Sequence, residues 1–594
     1  MFKSFYVDPS KPSMLLRAGE PFGKERIMNR LKLSAQRSLA WLGLFGLGLI
    51  SWGFVGCSAP SDLAALEEIS SPLRTQDVVW AKSAGSTTSP ALTAITTSFA
   101  VGNDLYVGGW FSGSVTLAGG ITLVSAGERD AFFGKIDMAT GNYLWAKRGG
   151  GTGLDFTNRI TADASGVWAT GTFRGEATFD ATSLTSPATA NSAFVIYLST
   201  SDGAVQWVKS FDTGAGNSAG TGIAVRSSAL YVVGQFVGSV KWGATTVQSG
   251  YDISAPYTNA SPFTAPTTAD AFFLKIDKTT GNLGWLRRGG GSLNDSGSNV
   301  YATDDAVYIA GHADTRSRAQ FEKRTPVSSS VTTFANYCSI WDATDQSLGT
   351  AIQSFVVRLS AASGNCLWAI RARNGSVANT HTYVYDIISN PRSPSTSYLV
   401  GTYFGTTKFC NNADCSSFLS LSSGGDTVQS AYIATVLGNG TFAAVKNFDV
   451  SEPVSLNPFT IQSSNIGVAA LSGTYYQGTV ANDDRLFVGG RRKPNLITNS
   501  AGGGAYDALV VRIIPSTLAI NKVLYFGGKG VEGVLAISSL PSLTPGGALF
   551  LGGTFQDKIT LGSTVLTVGD ATTQHAYSAR LNQPLCGYGV NVCQ

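Results

Sequence analysis

The sequence predicts an all-β protein: a seven-bladed β-propeller, four antiparallel strands to a blade, closed into a ring by its N-terminal strand. Three observations carry this expectation. Helical patterns rich in Ala, Glu, Lys and Leu are missing after residue 75, and short apolar runs broken by Gly, Ser, Thr, Asn and Asp take their place; Gly supplies 69 of 594 residues. One stretch recurs almost word for word, DAFFGKIDMATGNYLWAKRGGG from Asp130 to Gly151 and DAFFLKIDKTTGNLGWLRRGGG from Asp270 to Gly291, the mark of a repeat architecture. The strand signals also begin on one type and end on another, a phase that a ring accommodates and an open array does not.

The strand types, in order within a unit, are A to D. A is a short β-type stretch such as NRITAD (Asn158–Asp163) or TGIAVR (Thr221–Arg226). B is an apolar run ending in Gly and often an aromatic: LYVGGWF (Leu105–Phe111), VWATGTF (Val167–Phe173), LYVVGQF (Leu230–Phe236), VYIAGHA (Val307–Ala313), YLVGTYF (Tyr398–Phe404), LFVGGRR (Leu486–Arg492) and LFLGGTF (Leu549–Phe555). C is AFFGKID and its relatives, from Ala131–Asp137 to Ala576–Asn582. D is centred on Trp80, Trp145, Trp207, Trp285 and Trp368, with Ala444 and Val523 in the Trp place of two weaker copies. Four antiparallel strands repeated radially is the propeller plan. The series opens on D at Trp80 and closes on C, so the first strand should complete the seventh sheet and hide an edge that would otherwise aggregate.

Within strand C, Phe132, Gly134 and Ile136 face one way and Phe133 and Lys135 the other. Blades pack on both faces, so apolar residues on both are expected, and the Trp residues should lie between blades. The C–D connections DMATGN and DKTTGN hold the Asp, Gly and Asn of tight hairpins. Asp130, Asp270 and Asp507, with His575 in the same place, open strand C and should cap loop amides.

Residues 1–56 read as a leader. Ala40–Gly56 is apolar apart from Ser51, follows Arg30, Lys32 and Arg37, and ends at Cys57. Phe54-Val55-Gly56-Cys57 resembles the lipobox of bacterial lipoproteins, with Phe54 in place of the usual Leu. The resemblance implies acylation of Cys57, membrane attachment through it, and an outer-membrane location, because Ser58 is not the Asp linked to inner-membrane retention. The run is short for a spanning helix, which needs about 20 residues. Translation is expected from Met28. The leader holds eight of the 42 basic and three of the 38 acidic residues. The remainder carries 34 and 35, a net of −1, which leaves no basic surplus for nucleic acid. Residues 57–75 read as a polar tether, 76–582 as the propeller, and 583–594 as a tail.

Six cysteines remain: Cys338, Cys366, Cys410, Cys415, Cys586 and Cys593. An even number in an exported chain suggests disulfides. Proximity favours Cys410–Cys415 and Cys586–Cys593, leaving Cys338–Cys366. No CxxC occurs and His312, His381 and His575 are scattered, so no metal site is expected.

DAFFGKIDMATGNYLWAKRGGG resembles the SBBP-type β-propeller repeat of exported bacterial proteins, over nearly all of residues 76–582 and most clearly in the first four blades. That resemblance implies fold and export, with no common catalytic function. Asp137-x-x-Thr140-Gly141-x-x-x-Trp145 is also similar to the tryptophan-docking motif of quinoprotein propellers. Those enzymes have eight blades, and their quinone site needs calcium ligands and usually an adjacent Cys pair. Neither is recognisable, and no cofactor is expected.

No HExxH, GxSxG or P-loop pattern occurs, and nothing singles out a carboxylate pair for glycoside chemistry. The departures from the repeat are B–C connections that swell in three consecutive blades, about Val237–Ala269, His312–Gln353 and Gly405–Ser430. They carry Trp242, Tyr251, Tyr257 and Phe263; Phe334, Tyr337 and Trp341; and Phe418. Aromatic loops on one sector of one face suggest a surface for a protein or glycan partner; the alternative is that they cover the ring with their aromatics folded under. The expected function is a lipid-anchored adhesion or scaffold module. A structural subunit of an envelope complex and a carbohydrate-active enzyme are the alternatives.

Overall fold

The computed structural model describes residues 70–582 with breaks, the longest at 250–267, 323–336, 341–350, 448–465, 475–484 and 493–506. The leader, Cys57, most of the tether and the tail with Cys586 and Cys593 lie outside the described residues, as do Tyr251, Tyr257, Phe263, Phe334 and Trp341. What is described is a seven-bladed propeller, each blade a sheet in the order A-B-C-D. Blade 1 comprises Thr93–Val101, Asp104–Phe111, Asp130–Ile136 and Tyr143–Gly151; blade 2 comprises Phe156–Asp163, Gly166–Arg174, Asn191–Leu198 and Val205–Ser210. Blade 3 comprises Ser218–Arg226, Ala229–Val237, Ala269–Asp277 and Leu283–Gly290. The A strands of blades 4 to 7 begin at Asp295, Thr382, Ile466 and Gly533. Each A strand contacts the next, and the seventh returns to the first, so the A strands line the axis and the D strands form the rim.

The ring closes as the strand phase requires. Val78–Ala84 pairs antiparallel with His575–Asn582, Trp80 opposite Arg580 and Ala84 opposite Ala576, and completes blade 7. In blade 6 the register differs from expectation by one residue. Arg512 faces Lys522, as Lys135 faces Trp145 in blade 1, so Lys522 stands in the Trp place and Val523 points into the core, fully buried.

The joints between blades are built from the repeat itself. Asp137 Oδ1 accepts the amides of Ala139 and Thr140, both at 2.8 Å, and the Thr140 hydroxyl, which fixes the C–D turn. These bonds hold its carboxyl below the usual range. Gly141 then adopts φ 76°, and the Trp80 ring of blade 7 lies where a Cβ would stand, 2.6 Å away. The Trp80 indole donates to the Met138 carbonyl at 2.9 Å, and Arg580 from strand C of blade 7 donates to the same oxygen at 2.8 Å. The device recurs three times. Trp145 and Lys135 share Thr200 O, Trp285 and Lys275 share Ala361 O, and Trp368 and Arg358 share Gly438 O. Burying each ring contributes a few kcal/mol, and pairing its N–H avoids the cost of an orphaned donor.

The B–C connections are a difference from expectation. Among the described residues, six of them are β-hairpins, at Ser114–Val124, Glu176–Thr185, Ser239–Gln248, Gln320–Ser339, Thr406–Ser422 and Lys558–Thr567. In four of them the neck is closed by a Ser hydroxyl that accepts the amide of a positive-φ Gly: Ser125 on Gly113, Ser186 on Gly175, Ser249 on Gly238 and Ser423 on Gly405, at 2.8–2.9 Å. The hairpins run down the rim. Their inward side chains (Phe179, Trp242, Phe321, Phe409 and Leu561) are buried between blades.

Candidate binding surface

The axis is closed. Arg159, on the A strand of blade 2, reaches across to blade 5, where its guanidinium lies 3.4 Å from the Asp386 carboxylate and donates to the Tyr385 carbonyl at 3.3 Å. Asn299 of blade 4 donates to the same carboxylate. A side chain that bonds a blade three positions away spans the channel.

The B–C/D–A face has polar groups of its own. Asp130 and Asp155, Asp270 and Asp295, and Asp507 and Glu532 form three pairs with equal sequence spacing. Each pair straddles one glycine, Gly150, Gly290 or Gly527, whose Cβ would lie within about 3 Å of both carboxylates. Asp130 caps a loop amide, accepting Ala126 N–H at 2.8 Å, and pairs with Arg148 at 2.7 Å. Asp155 accepts the amides of Gly151 and Arg174 at 2.8 and 3.1 Å. Burial and its neighbour's charge push Asp155 up to about 6; Glu532 is pushed to about 7 for the same reasons, and Asp295 is raised well above the ordinary range. The sequence signal was the fixed step from the Asp that opens strand C to the acid that follows strand D.

The histidines are less scattered than expected. His312 and His381 both lie against Tyr383, ring centroids 5.8 and 5.9 Å away, and burial pushes His312 down to about 4. His575 stays apart in blade 7, next to Thr573.

The predicted binding aromatics divide. Trp242 is a correction: it is 4% exposed, packs on Phe211 at 5.0 Å and donates to the Gly281 carbonyl, because its hairpin lies down the rim with that side chain inward. Phe418 is 41% exposed on the outer strand of its hairpin, with the Lys408 ammonium 4.5 Å above its ring. Tyr337 is in the second strand of the blade 4 hairpin. That hairpin is tied to strand D of its own blade by the disulfide Cys338–Cys366, and Cys410–Cys415 closes a loop in the blade 5 hairpin. Most exposed large apolar side chains of the described residues are on the rim: Val79, Leu144 and Leu367 on D strands, Val124, Phe418 and Val565 on hairpins.

Of the five joints that carry a Trp, one lacks the shared docking bond. At blades 2–3 the Trp207 indole N–H has no partner among the described residues, and Tyr197, which stacks on Trp168 at 5.0 Å, stands where the other Trp-bearing joints have Lys or Arg. A groove of about 410 Å³ opens there, lined by Leu184, Val208, Lys209, Ser210, Trp242, Gly243 and Gly281–Leu283.

No family model matches the sequence, and no curated protein matches it either. Among solved structures the chain is similar to the quinohemoprotein alcohol dehydrogenase ADHIIG of Pseudomonas putida HK5, at 10% identity and a TM-score of 0.35 over 89% of this chain and 80% of that one. It is similar to the quinohemoprotein alcohol dehydrogenase of Comamonas testosteroni at 10% identity and TM-score 0.35, over 88% and 80%. A europium-containing methanol dehydrogenase gives 9% and 0.34, over 87% and 96%. Likeness this distant carries nothing about activity.

Proposed function

We propose that this chain is an exported, lipid-anchored propeller of the SBBP-repeat type that holds a protein or glycan partner on its outer surface and performs no catalysis. The observation that supports this most is the axial tie from Arg159 to Asp386 and Asn299, which fills the place where a ring of blades would otherwise offer an enclosed site. A partner must then be met on the rim or the faces. The rim is favoured, since it carries most of the exposed apolar side chains and the hairpins. Attachment through acylated Cys57 would hold the ring at an outer-membrane surface, since each buried CH₂ of an acyl chain contributes about 0.8 kcal/mol.

Two measurements test this. Cys57→Ser should release the protein from membranes into the soluble fraction; unchanged attachment defeats the anchor. Crosslinking in intact cells, followed by mass spectrometry, should recover partner crosslinks on rim hairpins. Turnover of a polysaccharide by the purified protein, abolished by replacing one carboxylate pair, would overturn the non-catalytic reading.

A further inference from the structure

The groove at joint 2–3 has a cause in sequence. Strand D of blades 1 and 3 ends in glycines, and Gly149 and Gly289 leave room for a ring of the next hairpin. A Cβ there would meet Phe179 at 2.3 Å and Phe321 at 2.6 Å. The hairpins of blades 2 and 4 therefore pair onto those D strands as a fifth and sixth strand. In blade 2 the same position is Phe211, 2% exposed and packed at a tilt against Phe272, ring centroids 4.5 Å apart. Its ring occupies the space, the blade 3 hairpin forms a separate two-stranded sheet, and among the described residues Val205–Ser210 pairs on one side only.

Blade 6 also carries Phe at this position, Phe526, and shows what such an edge accepts. Its residues Val523–Tyr525 pair in parallel with Ser70–Pro72 of the chain's own N-terminal segment, and Leu73 is buried in the cluster beyond. By the shared C–D register, Val523–Tyr525 corresponds to Val208–Ser210. Those are the three rim residues that line the groove. Phe211 N–H donates inward to Ala193 O at 3.1 Å, so by strand alternation the N–H and C=O of Ser210 and Val208 point outward.

We propose that the Val208–Ser210 edge is a strand-acceptor site for an extended peptide segment of a partner protein, which adds to blade 2 as Ser70–Pro72 adds to blade 6. A branched apolar side chain of the segment rests on Leu184 and Leu283, and an acidic one meets Lys209. Joint 1–2 displays that last contact: Asp180 lies 3.6 Å from Lys147, the equivalent of Lys209. Lys209 spends one bond on Thr280 O at 2.9 Å, and an ammonium has three donors. Main-chain bonds give such complexes their affinity and side-chain pockets their specificity.

This site rests on the binding-module reading and names its partner chemistry. The probe is a fluorescent synthetic peptide copying residues 67–75, EEISSPLRT, with photo-leucine in the Leu73 place. It is added to the full-length protein and followed by anisotropy and crosslink mapping. Saturable binding with crosslinks to Leu184 or Leu283 is expected. Ser210→Pro removes an outward N–H that no internal pair uses and should weaken binding roughly tenfold, the worth of a lost main-chain bond. Leu184→Trp fills the groove without touching the strand and should do the same, so the site stays testable if the Pro variant misfolds. Binding unchanged in both, or crosslinks on Leu524 or Tyr525 alone, overturns the proposal. A cellular partner whose crosslinks survive both variants leaves the binding module standing and overturns this site.

Discussion

Joints 1–2 and 2–3 are made from the same two strand types and end differently. In joint 1–2 Trp145 and Lys135 share the Thr200 carbonyl, and the Glu176–Thr185 hairpin pairs onto strand D. In joint 2–3 Trp207 has no acceptor among the described residues, Tyr197 replaces the cation and Phe211 replaces the glycine that admits a hairpin. Two substitutions in a repeat thus turn a sealed seam into a groove. In a repeat protein the informative residues are those where the unit stops copying itself.

The contrast can be broken in graded steps. Trp145→Ala should have the largest effect, a loss of about 3–5 kcal/mol, while Trp207→Ala should lose less than half of that. Chemical denaturation of both variants checks this, and equal losses would mean that the shared carbonyl bond contributes nothing. Next is the covalent tie of joint 3–4. Replacing Cys338 and Cys366 by Ser should cost about 2–4 kcal/mol, as for loops of this length, read as a lower denaturation midpoint. Gly149→Phe should give joint 1–2 the character of joint 2–3. The added ring collides with Phe179, costs about 1–3 kcal/mol, and should expose the amides of 176–185 to hydrogen exchange while blades 3–5 stay protected.

The smallest effect is in pH. Asp155 is raised to about 6 from an ordinary carboxylate value, so the folded state holds its proton more tightly than the unfolded chain. Its contribution to stability is full below about pH 4 and is lost as pH rises through 6. Asp155→Asn should flatten that part of the decline in melting temperature between pH 4 and 7. Asn217, in the corresponding stretch of joint 2–3, carries no charge, and Asn217→Ala should leave the slope unchanged.

The sequence made the ring legible because the Trp, AFFGKID and B-strand signals are long and apolar, and because the phase of the first and last strand signals suits a ring. It hid the hairpins. Their strands are as short as three residues, Ser114–Thr116 and Thr122–Val124, and rich in Ser and Thr, so they read as loops. The repeated Gly…Ser neck was the available signal, and it gives Trp242 an inward place. The carboxylate pairs were half visible, since Asp130, Asp270 and Asp507 stood out while their partners sit past strand D in a turn. The meeting of His312 and His381 on Tyr383 depends on two blades packing together and has no local sequence mark. The groove was invisible because it comes from the loss of a glycine, seen only once Gly149 and Phe211 are in the same register.

Strand Val78–Ala84 is the first of the four-strand blade pattern to be made and the last to be used. Its partner His575–Asn582 is the final strand of the described chain, so synthesis places almost the whole propeller between the two halves of blade 7. Until the last strand emerges, the first has no native edge to join, and six finished blades still expose a raw sheet at each end. Such long-range pairing slows folding and exposes partly built forms to aggregation. The seam that seals the ring is therefore also its assembly checkpoint: a chain cut short by a single strand leaves two open edges, and its life before degradation should be governed by how soon those edges find each other.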